Sequence, residues 1–407
     1  MAKDGRGWFA LLLASCLSGC GSRSAPPFPT YSANQPPTVV ASDNGFGLYL
    51  QAADDTEAKG AKFKGRVSLA SEEKKELFED TDNAIKLLDR GSAMNVQFAF
   101  TPQKPFEARP HQQGWWLIGK SLEWRISDAV RASQPTLAIN YLLLATKFGF
   151  DLTAGAVTDA SLGLSIADNA RRAFLPLVSQ LSPGDLQRVA EGLQKILKSK
   201  PDLSRTIANE KQNMLAAVDY IQDAYRRDNY DDLIKRLGPD VRDAVKYLQK
   251  ELKPKDEKER PGFFEGLSTE ANQEAQWETE QATLPGVRRT AQPDCAKTER
   301  PWRRWAKHFF QAGRPLIEIA DETVARTRLL SLHCLILVDE QKVKKAPSSL
   351  AEFAPDLILD PFTGGTFIYR AQGLVFKVYS AGDNFRDDGG QTDAAFTHPD
   401  LMLEVPG

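Results

Sequence analysis

Reactive side chains are few in this 407-residue chain, and their spacing excludes most of the chemistry that would need them. The four histidines, His111, His308, His333 and His398, stand far apart, and no His-Glu-x-x-His helix pairs two of them over a metal. A Gly-x-Ser-x-Gly elbow, a phosphate loop and a dinucleotide fingerprint are absent from the sequence. Carboxylates are plentiful, yet no spacing singles out a pair for acid-assisted hydrolysis. One concentration of charge is unusual: the acidic loop from Asp383 to Asp393, close to the C-terminus.

Composition narrows the classes further. Hydrophobic residues at 42% and charged residues at 26% are those of an ordinary folded chain, long enough for two or three domains. A net charge of −2 offers no basic field for nucleic acid. A mean hydropathy of −0.40 argues against several membrane spans.

The N-terminus carries an address. Lys3 and Arg6 precede an apolar run from Trp8 to Leu17, too short to cross a bilayer and suited to the apolar region of a secretory signal. Leu17-Ser18-Gly19-Cys20 follows, and this resembles the lipobox of bacterial lipoproteins. The resemblance implies cleavage after Gly19 and a diacylglyceryl group on Cys20, with more than one acyl chain anchoring the protein stably. Gly21, where an inner-membrane retention signal would place Asp, implies the outer membrane. Pro26, Pro27, Pro29, Pro36 and Pro37, with Ser between them, predict a semi-rigid tether over residues 20–60.

Removal of the signal and acylation of Cys20 leave Cys295 and Cys334 as the two thiols in an oxidising compartment. They are the candidate disulfide. The other arrangement is a buried Cys334 on an apolar element with Cys295 unpaired in a linker.

Between residues 61 and 280 the periodicity predicts a helical domain. Ser71 reads as an N-cap before Glu72 and Glu73, and Asn95–Phe100 alternates with strand period. Ser182-Pro183-Gly184-Asp185 is the clearest helix start, followed by Leu186, Val189, Leu193 and Ile196 on one face. Met214, Val218, Ile221 and Tyr225 line another helix; Val241, Val245, Leu248 and Leu252 line a third. No residue signature recurs with the period of a helical solenoid. Residues 281–317 form a polar linker and a segment, Trp302 to Phe310, that mixes aromatics with cations. An ordinary packing helix accounts for that segment better than nucleic-acid binding does.

The last 90 residues bring a helix with Ala325, Leu329, Leu332 and Ile336 in register, then Leu359-Asp360-Pro361-Phe362-Thr363-Gly364. Two strands over 366–370 and 374–379 flank a three-residue turn, Ala371-Gln372-Gly373. Tyr379-Ser380-Ala381-Gly382, the acidic loop with Gly389-Gly390, and a strand over 401–405 complete the order. Over residues 318–407 this order is similar to the soluble half of the major pseudopilin of type II secretion systems, and to many bacterial proteins that carry the module at their C-terminus. In that family the loop before the last strand binds calcium. The resemblance therefore implies Asp383, Asp387, Asp388 and Asp393 as Ca²⁺ ligands, with Ser380 as a further oxygen; a hard cation of this kind takes six to eight oxygens. The loop is slightly longer than the family pattern, and Ala394-Ala395 stand where a second acid is usual. A lipobox and a helical domain replace the long apolar helix by which pseudopilins assemble, so filament assembly by that route is not expected.

The expected fold is mainly α with a C-terminal α+β module: an irregular helical bundle followed by a helix and a small antiparallel three-stranded sheet. Its expected segments are a signal peptide (1–19), the tether (20–60), the helical domain (61–280), the linker with its basic-aromatic helix (281–317) and the pseudopilin-like module (318–407). The expected role is non-catalytic: a lipid-anchored extracytoplasmic structural or interaction protein, stabilised by calcium, with the membrane as one partner and envelope or secretion-machinery proteins as others. Two rivals are an accessory component of a type II secretion or pilus-like machine and an envelope hydrolase that uses carboxylates.

Overall fold

In the computed structural model, the described residues are 29–32, 44–63, 66, 69–98, 110–237, 242–252, 260–293, 302, 305–306, 315–390 and 400–403. The first half is a succession of helices: α1 (Phe46–Gly60), α2 (Ser71–Ser92), α3 (Pro110–Arg131), α4 (Pro135–Leu152), α5 (Val157–Phe174) and α6 (Pro183–Ser199). Then come α7 (Leu203–Arg227), α8 (Tyr230–Leu237), α9 (Arg242–Tyr247), α10 (Arg260–Ala282), α11 (Leu316–Val343) and the short α12 (Pro355–Ile358). A three-stranded antiparallel sheet, ordered β1 (Ile368–Gln372), β2 (Val375–Ser380), β3 (Leu401–Met402), follows them. The chain is mainly α with a small C-terminal sheet, as the periodicities predict.

Local signals explain most helix ends. The Ser182 hydroxyl accepts the Asp185 amide at 3.2 Å with Pro183 in the first turn, and Leu186, Val189, Leu193 and Ile196 are all buried. Asp202 caps α7 through the Ser204 amide at 2.7 Å, and Asp228 ends that helix in the left-handed region. The predicted cap at Ser71 shifts by one residue. Ser71 is the first helical residue, and Glu73 reaches back to accept the Ala70 amide at 2.8 Å.

Several expectations need correction. Residues 46–60 of the predicted tether form α1, in which Tyr49, Ala52 and Ala53 are fully enclosed. Three apolar side chains on one helical face outweigh the Pro/Ser character of the residues before them. The strand expected over 95–100 is reduced, among the described residues, to one parallel bridge between Asn95 and Asn44. Its partner chain is a helix start and offers no edge to extend the pairing. The hairpin turn is the two-residue Gly373-Leu374, because Gln372 pairs with Val375 and Gly373 takes φ +66°, which favours glycine.

The packing also disregards the expected border at 317/318. A single apolar cluster joins α1–α6 to α11 and the sheet, from Phe46 to Leu403. One side of α11 lies on α6, where the Ser331 hydroxyl donates to the Ala190 carbonyl at 3.1 Å; the other side carries His333 against Phe376 of β2, ring centres 4.9 Å apart. Part of the predicted linker zips onto the module as well: the Gly286 and Val287 amides donate to the Pro361 and Phe362 carbonyls at 3.0 and 2.7 Å. A second cluster holds α7–α10 together, with Phe263, Phe264 and Trp305 at its centre. Among the described residues, no helix is long and apolar enough to cross a membrane.

Helices α4 and α5 approach each other closely at a pair of glycines. A Cβ on Gly163 would lie 2.2 Å from the Gly149 carbonyl oxygen, and one on Gly149 would lie 2.4 Å from the Gly163 oxygen. Gly163→Leu is therefore expected to cost about 3 kcal/mol by overpacking, or to prevent folding. Gly184→Ala, in the open first turn of α6, should be neutral or stabilising by up to about 1 kcal/mol. Equal denaturant midpoints for the two variants would show that the helices do not meet there.

Candidate functional site

The acidic loop begins where β2 ends, and its geometry depends on a carboxylate outside it. Asp360, only 1% exposed, opens the turn after α12. Its carboxylate accepts the Phe362 amide at 3.0 Å, the Thr363 hydroxyl at 3.2 Å and the Ser380 hydroxyl at 2.9 Å. Burial raises the Asp360 pKa despite these donors. Ser380 in turn accepts the Gly382 amide at 3.0 Å. Its hydroxyl thus donates once and accepts once within the protein, and Ser380 is fully buried.

Beyond Ser380 a tight turn, Gly382–Asn384, throws Asp383 to the surface, and Phe385 takes φ +58°. Asp387, itself exposed, folds back onto the hairpin. It accepts the Tyr379 hydroxyl at 2.8 Å, the Arg370 guanidinium at 2.6 Å and the Gly389 amide at 3.0 Å. The Tyr379 hydrogen bond, joined by those of Gly389 and Arg370, holds its carboxyl below the usual range. Asp388 accepts the Asn384 side-chain amide at 2.8 Å. Gly389 and Gly390, at φ +82° and +74°, turn the chain so that the Gly390 amide meets Asp400 at 2.7 Å.

Asp400 was not among the expected ligands, although it stands directly before the last strand. It is 2% exposed, accepts backbone amides of Gly390 and Asp388 on one side, and keeps a buried Oδ1 with no hydrogen-bond partner among the described residues. Burial, and then the neighbouring charges of Asp388 and Asp387, raise its pKa. Asp393 lies outside the described residues. The ligand set therefore changes rather than closes: Asp387 is committed to a cation and a phenol, whereas Asp388 and Asp400 adjoin each other and retain acceptor capacity. Among the described residues, no three His, Cys, Asp or Glu side chains converge in a metal-binding group.

The candidate disulfide is half visible. Cys334 lies on α11 with no exposure, and burial pushes its thiol up to about 12, the state of an inert core sulfur. Cys20 and Cys295 lie outside the described residues, as does His308.

Other buried titratable groups tie the helices together. Glu278 of α10 accepts the Leu316 amide at the start of α11, and burial, with Glu274 and Glu210 nearby, raises its pKa to about 7. Asp321 of α11 rises to about 6 by burial even though Arg289 stands 2.7 Å away. Tyr49 donates to Asp151 at 2.7 Å, and Lys147 holds the other oxygen of the same carboxylate. Each is enclosed in packing, and Tyr49 has no exposure at all. No family model, curated protein or solved structure matches the chain.

An acid whose pKa is higher in the folded state than in the unfolded one binds its proton more tightly when folded. Its contribution to stability is present at low pH and is lost as pH rises through the folded value. Glu278 should therefore lower the stability of the native protein between about pH 4.5 and about pH 7. Denaturant unfolding at pH 5 and pH 8 should show Glu278→Gln gaining on the native chain at the higher pH; parallel profiles would mean that Glu278 is not buried as described.

Proposed function

We propose that this is a non-catalytic lipoprotein of the bacterial cell envelope. It is anchored through acylated Cys20, most simply at the outer membrane, and acts as a structural or interaction protein. The observation that carries this reading is the agreement of four N-terminal features: cations, a short apolar run, Leu17-Ser18-Gly19-Cys20 and a Pro-rich stretch after it.

In this reading the C-terminal sheet, resembling the pseudopilin module, faces partners in the envelope, and the acidic loop takes a calcium ion. Asp388 and the orphaned Oδ1 of Asp400 would supply oxygens there, with Asp383 and Asp393 as further carboxylates of the same loop. Calcium would offset the mutual repulsion of these acids and hold the end of β2 against β3. The machine-accessory reading rests on the same module and differs only in the identity of the partner.

Expression with a labelled fatty acid tests the anchor. The native chain should incorporate label and sediment with membranes, whereas Cys20→Ser should lose label and become soluble; an unlabelled native chain overturns the reading. Calcium is tested on the folded protein by thermal unfolding in calcium or chelator. Saturation a hundred-fold above Kd would add about 2.7 kcal/mol, an effect that Asp400→Asn should remove. An unchanged transition in the native chain ends the calcium proposal.

A further inference from the structure

The groove between α2, α4 and α6 is open to solvent and encloses about 560 Å³, a volume within the range of small-ligand sites. Its floor is apolar. Leu137 and Leu143 of α4 and Ile196 of α6 line it, and Leu137 is 39% exposed within the concavity. Gly192 lets α6 sit close over α4, since a Cβ there would come within 2.6 Å of the Leu143 methyl groups.

The rim is cationic. Lys86, Lys147 and Lys195 each come from a different helix and line the same groove, with Asp89 as the acid among the lining residues. Lys147 is held by Asp151 and so has a fixed position. Lys86 and Lys195 are exposed and have no ion pair among the described residues. With Lys147 paired to Asp151, Lys86 and Lys195 are the cations left to the groove, and neither contributes to the core.

We infer that this groove binds a free fatty acid of medium chain length, the apolar chain lying over Leu137, Leu143 and Ile196 and the carboxylate between the lysines. The apolar floor supplies burial roughly in proportion to the area covered, and the lysines supply a head-group preference that an apolar floor alone would lack. The inference stands on this groove alone and is independent of the address proposed for the N-terminus.

Isothermal titration of the folded protein with dodecanoate, below its micellar concentration, tests the site. One saturable site per chain is expected, with dodecanol binding at least ten-fold more weakly. The double variant Lys86→Glu/Lys195→Glu and the single variant Leu137→Glu, all at exposed positions, should each weaken dodecanoate at least ten-fold while leaving the circular dichroism spectrum unchanged. The absence of saturable binding overturns the proposal. So does equal affinity for dodecanol and dodecanoate, a comparison that needs only the native chain. Undiminished binding in both variants places the ligand elsewhere and overturns it too.

Discussion

The fold turns on helix α11. Its apolar residues are not confined to one stripe: Ala325, Leu329, Leu332, Cys334 and Ile336 are all fully enclosed, and Leu316, Ile317, Leu330 and Val338 nearly so. A helix that is apolar around its circumference must be covered around its circumference. The bundle covers one side through α6 and α5, and the three-stranded sheet covers another through β2 and β3. A sheet this small has too little apolar area to stand alone, so it takes its core from the helix, which is at the same time a wall of the bundle. At about 1.5–3 kcal/mol for each large apolar side chain withdrawn from water, that wall is the largest single block of burial connecting the two ends of the chain.

With the wall in place, a buried carboxylate decides how the module is finished. Asp360 is expensive to enclose, and it persists because fixed donors surround it: the Phe362 amide and Thr363 of its own turn, and the Ser380 hydroxyl and Ala381 amide where β2 ends. Through Ser380 it fixes where β2 stops, and through Phe362 it presents the carbonyl that the 286–287 segment pairs with. The acidic loop inherits its starting point from that arrangement. Its return onto the hairpin at Asp387 follows from a strong local set, Tyr379 and Arg370, both delivered by the hairpin.

Local information in the sequence recovered what depends on local interactions. The Ser182-Pro183 start of α6, the face of α7 and the burial of Ala325, Leu329, Leu332 and Ile336 on α11 follow from spacing and capping chemistry alone; of the third predicted face, Val245, Leu248 and Leu252 are buried and Val241 lies outside the described residues. What spacing could not convey was partnership across the chain. The Ser380 hydroxyl donates to Asp360, twenty residues away. Asp400 reads as a surface acid until Gly389 and Gly390 turn the loop back onto it. Tyr49 and Ala53 sit in a segment that composition presents as a tether, and only the covering helices reveal their burial. The lysines at 86, 147 and 195 are unremarkable singly, and share a groove only because three helices pack side by side.

Bundle and sheet share α11 and should therefore unfold as one body. Native-state hydrogen exchange across a denaturant series tests it most directly, since amides opened by the same event merge onto one free-energy line. Protected amides of α4, α6, α11 and β2 should converge on the global unfolding line. A separate, lower line for β2, with α6 and α11 unaffected, would contradict it.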